Sequence, residues 1–186
     1  MHRAYNLFYS AQTAMLMLLM ARDLHFSAGT IGVFGTVGAI GSLLGALSSA
    51  RLTARLGEHR AILVAAAVSG LFALPVTMIG HGWLFWLACA GQVIVTFGMA
   101  VYNIGQLSLR QARCPDHLLG RMNATMRFVV WGTLPLGGLL GGTLGATIGS
   151  RDTVLVASLG LSVAFLWLVF SPLRPRTEEE LDDITV

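Results

Sequence analysis

Gln92, Thr96, Met99, Asn103, Gln106 and Arg110 fall within one arc of about 80° when residues 83–110 are set along a helix. Leu87, Ala90, Ile94, Phe97 and Val101 lie on the far side. Carboxamides and a hydroxyl stacked on one face of an uncharged, membrane-length run turn that face toward a protein interior or a watery cavity. The same groups could instead hydrogen-bond to neighbouring helices. A cavity built from them would suit amphipathic or weakly cationic small molecules. A fainter version of the stripe, Asn6, Tyr9, Gln12 and Thr13, occurs near the start of the chain.

Groups that would support catalysis are placed elsewhere. His2, His25, His59, His81 and His117 all lie in loops or at the terminus, and no Gly-x-Ser-x-Gly occurs in an apolar run. A buried serine would therefore lack a base within reach, which argues against an intramembrane enzyme. Cys89 and Cys114 show neither metal-ligand spacing nor a disulfide framework. No catalytic residue, metal or cofactor is expected. Every acidic residue, from Asp23, Glu58, Asp116 and Asp152 to the five in the tail, lies in a loop or terminus, although proton coupling usually needs an ionisable group within the membrane.

The composition states which elements must carry these residues. With 55% apolar and 11% charged residues and a mean hydropathy of +0.72, the chain cannot clothe itself in a polar surface. It reads as an all-α integral membrane protein whose net charge of +3 describes loops rather than a nucleic-acid interface. Six spans are expected, at about residues 4–21, 27–50, 61–80, 83–109, 123–149 and 153–170. Residues 1–173 form the membrane unit, and 174–186 a charged, solvated cytoplasmic tail. The first run could also be read as a signal peptide, but Asn6, Gln12 and Thr13 interrupt it and further spans follow.

The second span presents Gly35, Gly38, Gly41, Ser42, Gly45 and Ser49 on one face, and the fifth presents Gly137, Gly138, Gly141, Gly142, Gly145 and Gly149. Small residues at these spacings let another helix approach closely. Residues 51–60 form a basic turn, Pro75 should kink the third span, and Trp83 and Trp86 suit a membrane interface. Ten of the twelve arginines fall on the side shared by the two termini and the loops after spans two and four. Arg22 and Arg151 fall on the other. The positive-inside rule then puts both termini in the cytoplasm.

Spans one to three and four to six follow one plan: a polar-striped helix, a glycine-faced helix and a uniformly apolar helix. Because three is odd, the second triple is inverted relative to the first. Inverted repeats of this kind are typical of secondary transporters.

Three passages carry a resemblance to a known family. They are Gly41-Ser42-Leu43-Leu44-Gly45 leading to Ala54-Arg55-Leu56-Gly57-Glu58-His59-Arg60, residues 111–121 with Pro115, Asp116, Gly120 and Arg121, and residues 134–142 with Pro135 and four glycines. Over nearly its whole length the chain resembles the C-terminal half, spans seven to twelve, of a major facilitator superfamily transporter. It is most similar to bacterial multidrug and siderophore exporters of the enterobactin-exporter and macrolide-efflux type. Arg55, Gly57 and Arg60 match the second copy of the superfamily's cytoplasmic loop motif, with Arg51 just before it. Ala54 stands where an acid is usual and Glu58 where a base is.

The resemblance implies efflux by alternating access in a bacterial plasma membrane, with spans one and four lining a cavity through Asn6, Tyr9, Gln12, Gln92, Thr96, Asn103 and Gln106. Spans two and five would face a partner bundle, either a six-span N-terminal half or a second copy, and spans three and six would face lipid. The coupling carboxylate would belong to that partner, since the first span begins abruptly and this half offers no membrane acid. A truncated or non-transporting membrane module, or a homodimeric half-size carrier whose glycine faces meet their own copies, is the alternative.

Overall fold

The computed structural model describes the backbone of residues 2–112, 117 and 119–170, and the side chains of 7–109, 111, 117, 120–125, 128, 132 and 134–163. Among the described residues the chain is helical. α1 (His2–Leu18) runs into a π-helical turn (Leu19–Asp23), and is followed by α2 (Ala28–Leu56), α3 (Glu58–Thr77), α4 (Trp83–Ala112), α5 (Leu119–Ile148) and α6 (Ser150–Phe170). By length and composition, α2, α3 and the 83–109 part of α4 could each cross a membrane, and 134–148 of α5 is a shorter apolar stretch. The side chain of Asn6, the tail from 171 and residues 113–116 and 118 lie outside the described residues.

Helix ends follow local chemistry. Ser27 caps α2 by accepting the Thr30 N–H at 3.2 Å. Gly57 separates α2 from α3 with φ +78°, a conformation that favours glycine. Its N–H donates to the Thr53 carbonyl at 3.0 Å, while its own carbonyl accepts from Ala61 at 3.0 Å. Gly149, with φ +89°, repeats this pattern between α5 and α6, donating to Gly145 and accepting from Thr153. The basic turn expected at 51–60 is therefore mostly helix. Arg51 and Arg55 occupy the last turns of α2, and the break is confined to Gly57. Pro75 sits in the final turn of α3, two residues before the helix ends.

Packing fixes the register. α4 lies between α2 and α3, α1 lies between α5 and α6, and α3 packs on α6. Gly38, Gly41 and Gly45 of α2 meet Gln92, Val93, Thr96 and Phe97 in ascending order, so α2 and α4 run parallel. Gly137, Gly141 and Gly145 of α5 meet Leu7, Ser10, Ala11 and Met15 in the same sense, making α1 and α5 parallel. Gly91, Gly98 and Gly105 of α4 face Phe72, Ser69 and Ile62, which run in descending order along α3, so that pair is antiparallel.

Small residues and hydroxyls hold the interior, as expected where lipid gives helices no hydrophobic reason to associate. Ser69 donates to the Ala65 carbonyl at 2.8 Å and to Val95 of α4 at 3.2 Å. Ser162 of α6 reaches the Gly70 carbonyl at 2.8 Å. Leu19, Phe34 and Ile79 fill the core beside them, while Leu43, Leu47, Leu71 and Leu139 point outward and are exposed. At the end carrying the α1–α2, α3–α4 and α5–α6 links, Phe26 stacks edge-on against His81 and Phe85, and Ser150 bonds to Asp23. Arg151 donates to the Ile79 carbonyl there at 3.1 Å.

Candidate functional site

A cavity of about 170 Å³ opens between α1, α2, α3 and α4. α1 supplies Tyr9, Gln12, Thr13, Leu16 and Met17, and the π-helical turn after it supplies Met20. α4 supplies Gln92 and Val95, α2 supplies Ile31, Phe34 and Gly35, and α3 supplies Val76. Gly35 is seven residues from the start of α2 and Gln92 nine from the start of α4, so the cavity lies roughly 10–14 Å below the linked end. Its polar groups are a phenol, two carboxamides and a hydroxyl, and no lining residue carries a formal charge. Such a wall can hydrogen-bond and make apolar contact, but it offers no counter-ion to a fully charged ligand.

The wall is held in place from behind. Gln12 is 6% exposed, and its Nε2 donates to Ser158 Oγ of α6 at 2.6 Å. Ser158 Oγ in turn donates to the Val154 carbonyl at 2.8 Å. Thr13 Oγ1 donates to the Tyr9 carbonyl at 2.9 Å. One amide proton of Gln12 is thus spent on α6, and the side chain is fixed rather than free to follow a ligand.

The stripe on α4 divides along its length. Gln92 lines the cavity, whereas Thr96 lies in the α2–α4 seam, where its hydroxyl donates to the Gln92 carbonyl at 2.8 Å. Asn103 is exposed and Gln106 half-buried, both one or more turns beyond the seam and away from the cavity lining. The physical reason is length: residues 92–106 extend about 21 Å along a helix, further than this cavity reaches.

The glycines divide too. Gly38, Gly41, Gly45, Gly137, Gly141 and Gly145 sit against other helices of the same chain, while a side chain at Gly35, Gly138 or Gly142 would meet nothing within 4 Å. Gly35, read from sequence as a packing residue, belongs to the cavity wall. The inward glycines Gly38, Gly41 and Gly45 of α2 and Gly137, Gly141 and Gly145 of α5 are covered by α4 and α1 of the same chain. Arg51, Arg55, Arg60 and Arg121 are exposed, and Gly120 is open, at the ends of their helices. Met17, Met20, Phe34 and Val76 had no sequence signal apart from being apolar.

A family model described as the Major Facilitator Superfamily matches residues 4–185. The chain belongs to that superfamily. No curated protein and no solved structure matches it. As a facilitator chain it is a multi-pass membrane protein of a family that moves small molecules across membranes and is not typically enzymatic. Among the described residues of this facilitator chain no three His, Cys, Asp or Glu side chains gather into a group that could hold a metal. A second, shallower crevice at the linked end is lined by His25, Phe26, Ser27, Thr30, His81 and Trp86.

Proposed function

We propose that this chain is the C-terminal half of an exporter, moving amphipathic, uncharged or weakly cationic compounds, of drug or siderophore type, by alternating access. The observation that carries this reading is the uncharged, amide- and phenol-bearing cavity between α1 and α4. Six spans form two inverted three-helix repeats. Support comes from the packing, in which exchanging α1–α3 for α4–α6 maps α1 on α5 to α4 on α2, α1 on α6 to α4 on α3, and α3 on α6 to itself. The matched junctions at Gly57 and Gly149 agree with that exchange.

The chain sits in a bacterial plasma membrane with both termini cytoplasmic, the arginine-rich helix ends facing inward. It rocks against a six-span N-terminal half or a second copy, and the lipid bilayer is its surrounding partner. Asp23, Glu58 and Asp152 lie at helix ends or links, so a coupling acid within the membrane comes from the partner.

Binding of the uncharged amphipathic dye N-phenyl-1-naphthylamine to the full chain in lipid nanodiscs tests the cavity. Saturable binding is expected, weakened at least tenfold by Gln92→Leu combined with Tyr9→Phe. Binding no greater than to empty discs, or untouched by the double substitution, overturns it.

A further inference from the structure

From the way α2 diverges from α4 we infer that Gly35 sets the width of molecule the cavity admits; this rests on the cavity being the substrate site. Along α2 the space beside successive glycines widens in one direction. A Cβ on Gly45 would overlap the Phe97 carbonyl and lie 3.0 Å from Ala100 Cβ. On Gly41 it would overlap Thr96 and come within 2.9 Å of Val93 Cα. On Gly38 it would meet the flexible amide of Gln92, at 3.2 Å from Nε2 and 3.4 Å from Cγ. On Gly35 it would meet nothing within 4 Å. Over ten residues, about 15 Å of helix, α2 goes from backbone contact with α4 to open separation, and the cavity occupies the gap.

Gly35 is the lining residue that contributes bare backbone to that gap. Its neighbour Phe34 is 4% exposed and packed into the core, so it cannot swing aside to alter the opening. Thr13 and Met17 of α1 and Gln92 of α4 line the same cavity. A Cβ at 35 displaces no packed atom, and the rest of a leucine side chain there would extend into a cavity of only about 170 Å³. Gly35 thus determines specificity by size, separately from the hydrogen-bonding groups.

The test uses the full chain in membranes with Cys89→Ala, Cys114→Ala and a reporter, Thr13→Cys. Labelling is timed with a small reagent, methanethiosulfonate-ethyltrimethylammonium, and with a bulky one, fluorescein maleimide. Gly35→Leu should slow the bulky reagent at least tenfold and the small one less than threefold, with Gly35→Ala in between. Gly138→Leu, at another open glycine that does not line the cavity, should change neither. Unchanged bulky labelling in Gly35→Leu overturns the width role while leaving the cavity in place. A reporter that neither reagent reaches, even with Gly35 intact, removes the cavity and the width role together. Failure of Gly35→Leu to accumulate in membranes also counts against the inference, since an open wall position tolerates a side chain.

Discussion

Thr96 of α4 occupies the place that a side chain on Gly41 of α2 would need: a methyl there overlaps the Thr96 hydroxyl oxygen and lies 2.9 Å from Val93 Cα. Besides that hydroxyl the obstacle is the Val93 backbone, which cannot yield by rotating a side chain. Gly41→Ala is therefore expected to destabilise the chain by about 1–3 kcal/mol, the usual cost of overpacking, while Gly142→Ala, facing open space, costs little. Unfolding in mixed detergent micelles measures both, and equal stabilities would show that the α2–α4 seam is looser than described.

Ser158 is the acceptor for a buried Gln12 amide proton. Removing the hydroxyl with Ser158→Ala strands that donor, and interhelical hydrogen bonds of this kind in membranes contribute about 0.6–1.7 kcal/mol. Gln12→Leu should give a similar loss, and the two together should be less than additive. A double-mutant cycle reads the coupling directly; full additivity would mean that the pair does not interact.

Gly57 and Gly149 both hold positive φ at single-residue junctions. Alanine at either is expected to cost about 1–3 kcal/mol through backbone strain, and the two losses should be alike because the flanking hydrogen bonds match. An alanine tolerated without loss at Gly149 but not at Gly57 would break the equivalence of the two junctions.

Cysteine scanning separates cavity from seam along one helix. With the native cysteines replaced, Gln92→Cys should react with a water-soluble thiol reagent, and Thr96→Cys, one turn further and 9% exposed at the α2 contact, should react at least tenfold more slowly. Comparable rates at both positions would extend the cavity into the seam.

Under the proposed six-span arrangement, tags at the two ends of the chain should be reached by antibody from the same face of the membrane, since it puts ten arginines on the side of both termini and two on the other. Tags accessible from opposite faces would remove one span from the proposed arrangement.

Much of this molecule could be read from its residues. Lipid selects for apolar composition, for uninterrupted helices and for small residues where helices touch; all three leave a periodic trace that needs no neighbour to interpret. The apolar runs, the glycine faces and the stripe from Gln92 to Gln106 were visible for that reason. The resemblance carried by residues 41–60, 111–121 and 134–142 pointed to the family.

What the residues could not say was which face meets which. Gly35, Gly38 and Gly41 are alike in sequence, yet one lines a void, one touches a flexible amide and one meets backbone. Gln92 and Thr96 share a stripe but fall on either side of the point where α2 closes on α4. Helical periodicity assigns a residue to an angle around its own axis, whereas contact depends on where a second axis crosses, and that is set by packing between segments far apart in the chain. The sequence alone determined a membrane-embedded helical transporter chain with polar and glycine faces. Only the tertiary structure decided that α4 and α1 cover those glycines and that the cavity lies where α2 and α4 part.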